Sequence, residues 1–309
     1  MRIEQMYLII GASGFIGNHF YDYCEKRNIP VCGTYYRHAD NPQWLPFDLC
    51  RDDLEELCGR YLKGQIPEAV IFCGANTSID SCKKNEEASF QLNVTGTKRI
   101  LAQAKKLKSK CVFLSSEAVF DGEKGRYTED DIPNPITSYG KQKLEVEQYM
   151  RQEIESGLIF RISRAVGSSY GEKDIFQDFY NRILNQEEIV CLKDQSFCLT
   201  EVDDISQIMA RALKQDLKGL YHIASDNYIS RYHLADLYAQ HVFGGYPQII
   251  EKEFEEMMFL DHRHIKGGLD GSRLADLLDF HYMELPQILE RYHESYEKAA
   301  SGRREQWRT

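Results

Sequence analysis

Three groups of residues have types and spacings that could do chemistry: Ser115 and Ser116 in KCVFLSSEAVFDG, Tyr139 and Lys143 in NPITSYGKQKLEVEQ, and the glycines of GASGFIG. Tyr139 and Lys143 are four residues apart, so on a helix they share a face. An ammonium beside a phenol is expected to lower the phenol's pKa from about 10 toward neutrality, which makes it a usable proton donor or acceptor. With 19 tyrosines and 19 lysines in 309 residues such a pair also arises by chance, so its position must carry the weight. The pair follows the serines across DGEKGRYTEDDIPNP, a loop rich in turn residues, and all three groups can meet in one cleft.

Gly11, Gly14 and Gly17 directly follow the strand-like run YLII and open a helix-like segment. In that context glycines let a pyrophosphate approach backbone N–H groups at a helix N-terminus. The spacing is G-x-x-G-x-x-G rather than the commoner G-x-G-x-x-G, and a tight structural turn is the alternative. A cofactor with a free ribose 2′-hydroxyl would ask for an acid at the end of the second strand. The run GTYYRHAD has none before Asp40, and Arg37 and His38 stand where a 2′-phosphate would need cations. A solvated loop arginine is the other reading. Asp48, in FDLCRDD, could accept from an adenine amino group or cap the helix that follows.

These residues need a frame. Strand-like runs at 7–10, 30–36, 45–49, 69–75, 110–116 and 158–163 alternate with helix-like segments such as FIGNHFYDYCEKRN, DDLEELCGRYLK, EEASFQLNVTGTKRILAQAKKLK and YGKQKLEVEQYMRQEIES. Alternation of this kind predicts a parallel sheet with helices on both faces. GLYHIAS at 219–225 is expected to return as a further strand of that sheet. The rest, 166–218 and 226–309, is less regular and reads as a smaller, mostly helical region over the strand ends. If the 110–116 strand persists, Glu117 and Ala118 point to opposite sides.

The formal charge of −10 (38 minus 48) argues against a nucleic-acid or anionic membrane surface as partner. No run of about 18 apolar residues is present to span a bilayer, and the apolar stretch in MRIEQMYLIIG is too short for a signal peptide. Nine cysteines, odd in number and without a C-x-x-C pair, predict reduced thiols and a cytoplasmic protein. HRH at 262–264 offers two imidazoles without a third ligand at a readable spacing, so no metal site is assigned.

Taken together, GASGFIG, CGAN (73–76), LNVTGT (92–97), LSSEAVFDG, EDDIPNPITSYGKQKLEVE and RISRAVG resemble the extended short-chain dehydrogenase/reductase family, in particular the dTDP-4-dehydrorhamnose reductase subgroup. Later segments, TEVDDISQIMARAL, GLYHIASDNYISRYHLADL and GLDGSRLADLLDF, fit the pattern in order. The resemblance implies an α/β fold: a Rossmann NAD(P)-binding domain over 1–165, rejoined by 219–225, and a substrate-binding region over 166–309. It implies NADP(H) as the preferred cofactor with NAD(H) possible, a nucleotide-sugar substrate and a possible homodimer. By the same resemblance Tyr139 donates the proton, Lys143 holds the nicotinamide ribose and Ser116 the substrate oxygen. Ala12, Ser13, Phe15 and Ile16 should then lie along the cofactor with the three glycines, and Asp48, Leu49, Cys73, Gly74, Ala75 and Asn93 nearby.

Two positions depart from the subgroup pattern, which has an aromatic where this chain has Ala118 and a tryptophan where it has Arg164. Both places are expected to touch the sugar, so the rhamnose precursor itself is disfavoured. Glu117, Arg164 and Arg263 are candidate substrate contacts, the arginines for phosphates or a carboxylate unless they serve as ordinary ion-pair residues. Family dehydratases carry two adjacent acids after the Thr or Ser of this motif, or a single Glu two places after it; Ala118 occupies that second place. A sugar-nucleotide epimerase or dehydratase, and a non-catalytic NADP-binding regulatory subunit, are the alternatives to a reductase.

Overall fold

A computed structural model describes residues 6–306 apart from Asp40 and Ala75, with side chains through Ser301. In chain order the first half runs β1 (Tyr7–Ile10), α1 (Phe15–Lys26), β2 (Val31–Tyr35), β3 (Leu45–Pro46), α2 (Leu54–Tyr61), β4 (Ala69–Phe72), α3 (Ile79–Lys84), α4 (Glu86–Phe90), α5 (Thr97–Lys106), β5 (Lys110–Ser116), α6 (Ser138–Glu153) and β6 (Leu158–Ile162). The second half adds β7 (Arg164–Val166), α7 (Ile175–Leu184), β8 (Ile189–Leu192), β9 (Ser196–Glu201), α8 (Val202–Lys214), β10 (Gly219–Ile223), β11 (Tyr228–Ser230), α9 (Arg231–Phe243), β12 (Ile249–Lys252), α10 (Ser272–Leu278) and α11 (Leu285–Gln306).

Seven strands form one parallel sheet in the order β10-β6-β5-β4-β1-β2-β3. Strand alternation divides their side chains between two cores. Ile9, Ile71, Val112 and Phe160 pack with Phe20 of α1 and Ile208 and Met209 of α8. Leu8, Val70, Phe72 and Phe113 face the other way, against Leu101 of α5 and Val146 and Met150 of α6. With both faces covered, β4 and β5 are apolar on consecutive residues rather than every second one. Each such side chain contributes about 1.5–3 kcal/mol when fully buried. The strand order reverses between β1 and β4, which leaves a crevice at their carboxyl ends.

Three expectations change. The long segment from Glu86 is helical without a break but not α throughout: α4 and α5 are joined by a π-helical turn at Gln91–Gly96. There the Asn93 side chain bonds Asn76 and Gln142, and a Cβ at Gly96 would lie 2.9 Å from the Leu49 carbonyl oxygen. The third strand stops at Pro46, because Asp48 turns the chain by accepting from the Cys50 nitrogen at 2.8 Å. The second half also holds two further sheets, β11-β9-β7 and β12-β8, around an aromatic core that includes Phe176, Phe179, Tyr238 and Tyr292. Within it α8 covers the large sheet rather than its strand ends, since Ile205, Ile208 and Met209 pack on the α1 side.

The cysteines are free thiols. Among the described residues no helix is long and apolar enough to cross a membrane.

Candidate active site

The ends of β1, β4, β5 and β6 open into a cleft of about 2020 Å³. At its β1 end lies the glycine loop. Gly11 has φ +84°, and a Cβ there would stand 2.8 Å from the Gly74 nitrogen, so glycine lets this loop lie against the end of β4. A Cβ at Gly17 would stand 2.4 Å from the Gly11 carbonyl oxygen, so α1 can start directly under the loop only with glycine there. Gly14 is the N-cap of α1, with no side chain accepting from the first turn and no acid within it. The helix therefore presents free N–H groups and the positive end of its dipole. Gly11, Ser13, Gly14, Phe15 and Ile16 line the cleft, a cradle that fits a pyrophosphate. Ala12 does not join them: it is fully buried in the core with Trp44, and its nitrogen donates to the Thr34 carbonyl at 2.8 Å.

Arg37 and His38 line the same cleft beyond β2. Arg37 forms no ion pair among the described residues, and its guanidinium lies 5.3 Å from the exposed Tyr36 ring. Leu49, Cys73 and Gly74 also line it, while Ala75 lies outside the described residues. Asp48 does not cap the helix that follows. Its Oδ1 is occupied by the Cys50 nitrogen, and the cap of α2 is Asp53, which accepts from the Glu55 and Glu56 nitrogens. Asn93 is buried behind the wall, where its Oδ1 accepts from the Asn76 nitrogen at 3.0 Å and its amide donates to Gln142 at 2.7 Å. It braces the loop after β4 against α6.

Strand alternation separates the two serines. Ser116 lines the cleft, whereas Ser115 is buried and donates to Glu147 Oε1. β5 ends at Ser116, as its 110–116 run predicts, and Glu117–Val119 forms a 3-10 turn, so the condition for strand alternation beyond Ser116 is not met. The turn is held by Ser116 Oγ, which accepts from the Ala118 nitrogen at 3.2 Å. Glu117 and Ala118 still diverge. Glu117 Oε2 accepts from Ser163 Oγ at 2.9 Å and from the Gly268 nitrogen at 2.6 Å, while the Ala118 methyl packs with Cys82 and Tyr139. The alanine is thus the floor under the phenol rather than open space.

Thr137 caps α6 by accepting from the Gly140 nitrogen at 3.0 Å, which places Tyr139 in the first turn. Gly140 was not among the sequence candidates, yet a Cβ there would stand 2.0 Å from the Ala118 carbonyl oxygen. Only glycine lets α6 come close enough to set Tyr139 beside Ser116; a glycine inside a run of helix formers was the available signal. Lys143 lies one turn on, with Nζ donating to the Leu114 carbonyl at 2.8 Å and 5.7 Å from the Tyr139 ring centroid. Burial pushes the Tyr139 phenol well above the ordinary tyrosine range, with Ser116 pulling the other way. Burial also brings the Lys143 ammonium down to about 8, against the raising influence of Cys73 and Glu147. The expected lowering of the phenol is therefore reversed: the ammonium is spent on a carbonyl, and desolvation decides. A phenol that keeps its proton at neutral pH is a donor.

The cationic residues differ in their pairing. Arg263 Nη2 lies 2.7 Å from Asp80 Oδ2, and Arg231, which sequence reasoning missed, lies 3.2 Å from Asp178 Oδ2. His264 offers its ring nitrogen to the Phe120 carbonyl at 3.0 Å. Arg164 stands in the cleft without an ion pair among the described residues, 5.2 Å from the Phe197 ring centroid.

A family model described as the RmlD substrate binding domain matches residues 5–249. Methionine adenosyltransferase 2 subunit beta of Bos taurus is 25% identical over 244 residues, covering 74% of this chain and 69% of that protein. The probable low-salt glycan biosynthesis reductase Agl14 of Haloferax volcanii is 27% identical over 248 residues, covering 79% and 82%. A solved structure of a hypothetical dTDP-4-dehydrorhamnose reductase from Sulfolobus tokodaii superposes with a TM-score of 0.78 at 27% identity, covering 90% of this chain and 96% of that one. Since the family match spans the glycine loop, the end of β5 and the first turn of α6 alike, the chain belongs to the RmlD substrate-binding-domain family of extended short-chain dehydrogenases/reductases.

Proposed function

We propose that this chain reduces a keto group on a nucleotide-linked sugar with NADPH, in the cytoplasm. The carrying observation is the set of proton donors and acceptors around Ser116. Tyr139 stands there protonated, Ala118 can move no proton, and Glu117 is tied to Ser163 and the Gly268 nitrogen. Reduction needs one hydride, which the nicotinamide supplies when bound. The one proton comes from Tyr139 and the carbonyl oxygen is held by Ser116. Lys143 serves the ribose and keeps a positive charge behind the phenol. Dehydration would need further carboxyl groups, one to take a proton beside the carbonyl and one to protonate the leaving hydroxyl.

In this reading the Gly11–Gly17 loop takes the pyrophosphate, and Arg37 and His38 take the 2′-phosphate. Residues 1–165 with 219–225 form the cofactor domain, and 166–309 the substrate region. The test is a screen of NADPH oxidation against nucleotide-linked 4-keto sugars. The expected result is stoichiometric oxidation with a member of the panel. A 4-keto-6-deoxy product from an intact nucleotide-hexose, with cofactor unconsumed, refutes it in favour of a dehydratase.

A second reading is favoured by one observation, the likeness to a protein named as a methionine adenosyltransferase subunit. Tight NADPH binding with no turnover across the panel would favour a regulatory, non-catalytic role. The presence of all three of Ser116, Tyr139 and Lys143 in the sequence argues against it.

A further inference from the structure

Arg164 opens β7 two residues beyond Ile162, the β6 residue in register with Ser116. Its side chain shares the cleft wall with Ser116, Glu117 and Ser163. Its side chain is exposed to the cleft, where a ligand can reach it. Arg231 and Arg263 are already paired, with Asp178 and Asp80. Arg164 has no ion pair among the described residues: the acid next along the cleft, Glu117, gives Oε2 to Ser163 and to the Gly268 nitrogen. The Phe197 ring, 5.2 Å away, supports the planar guanidinium without neutralising it.

We propose that the sugar being reduced carries a carboxylate, and that Arg164 receives it. The inference rests on the nucleotide-sugar reading above and narrows its substrate class to acidic sugars. Arg164 follows by two residues Ile162, the register partner of the serine assigned to the ketone oxygen, so we assign its partner to the reacting ring or its substituent. Its fork of parallel N–H donors matches the two oxygens of a carboxylate. An anion borne farther along the ligand has Arg231, Arg263 and Lys252 on the same cleft wall.

Titration calorimetry on the NADP⁺-saturated protein tests this with UDP-glucuronic acid against UDP-glucose, and with the corresponding dTDP pair. Each pair shares its diphosphate and differs by a carboxylate on the sugar. The acidic member should bind about ten- to a hundredfold tighter, the worth of a charge-assisted contact. Arg164→Gln should bring it down to the affinity of the neutral member, with NADPH binding intact as the control for folding. Arg164→Lys should restore part of the difference. Equal affinities in the unaltered protein overturn the inference and leave the nucleotide-sugar reading standing. Equal weakening of both members by Arg164→Gln also overturns it, because the arginine would then serve the diphosphate. Binding of neither pair sinks the nucleotide-sugar reading, and this inference with it.

Discussion

Replacing Glu147 by glutamine should both destabilise the protein and move its activity profile. Glu147 and Arg161 are each 1% exposed, and the carboxylate takes guanidinium contacts at 2.7, 3.0 and 3.2 Å. Ser115 donates to the same carboxylate. Arg161 has no second ion pair among the described residues, and its Nη1 is buried without a partner. Coulomb's law at an effective dielectric of about 20 and ~4 Å gives about 4 kcal/mol for the pair. Stranding one member of a buried pair costs about 3–5 kcal/mol, a large share of the about 5–15 kcal/mol that holds a protein folded. Urea unfolding at pH 7 should show that loss.

Glu147→Leu with Arg161→Met should recover most of it, because two apolar groups leave no charge behind. The same carboxylate raises the Lys143 pKa against the burial that lowers it to about 8. In Glu147→Gln the alkaline fall of kcat/KM for keto-sugar reduction should therefore begin at lower pH than in the unaltered enzyme. A stability loss under about 1 kcal/mol, or a double variant no better than the single, would refute the account of the buried pair. An unmoved alkaline limb would refute the coupling to Lys143.

Three further outcomes follow from the site. Arg37→Ala should weaken NADPH by about one to two decades and leave NADH nearly unchanged, as read by fluorescence titration; equal loss for both cofactors would remove the 2′-phosphate role. Tyr139→Phe should keep NADPH binding and lose about 10² to 10⁴ in turnover, and reduction at the parental rate would show that another group is the acid. His19 of α1 bonds Glu172 and Asp203; burial opposes its charge, but these two acids prevail and raise its pKa to about 9. With the folded value above the unfolded 6.5, its contribution is complete below about pH 6.5 and vanishes as pH rises through about 9. The stability gap between the unaltered protein and His19→Gln should accordingly be about 2 kcal/mol at pH 6 and close by pH 9.5, after allowance for the half-exposed Asp203.

What the sequence determined by itself is what short-range patterns encode. The glycine spacing after YLII, the strand ending at Ser116 and the helical Tyr139–Lys143 pair are all local, and the structure places Gly11, Gly14, Ser116 and Tyr139 around one cleft, with Lys143 buried one turn behind the phenol. The parallel sheet followed from apolar runs alternating with amphipathic segments. Tertiary structure alone decided which side chains met which. Ser115 and Ser116 are neighbours in the chain, but the pleat sends one to Glu147 and the other to the cleft. Arg164 and Arg263 read alike as letters; Arg263 finds Asp80, 183 positions earlier, and Arg164 forms no ion pair among the described residues. Gly140 carries no signal of its partner in the chain; its role rests on the Ala118 carbonyl that stands where its Cβ would be. The sheets through β7, β9 and β11 and through β8 and β12 escaped notice because their partners are distant in the chain. Even the ionisation of Tyr139 was a tertiary matter: lysine spacing favoured a lower pKa, and burial, which no spacing records, raised it.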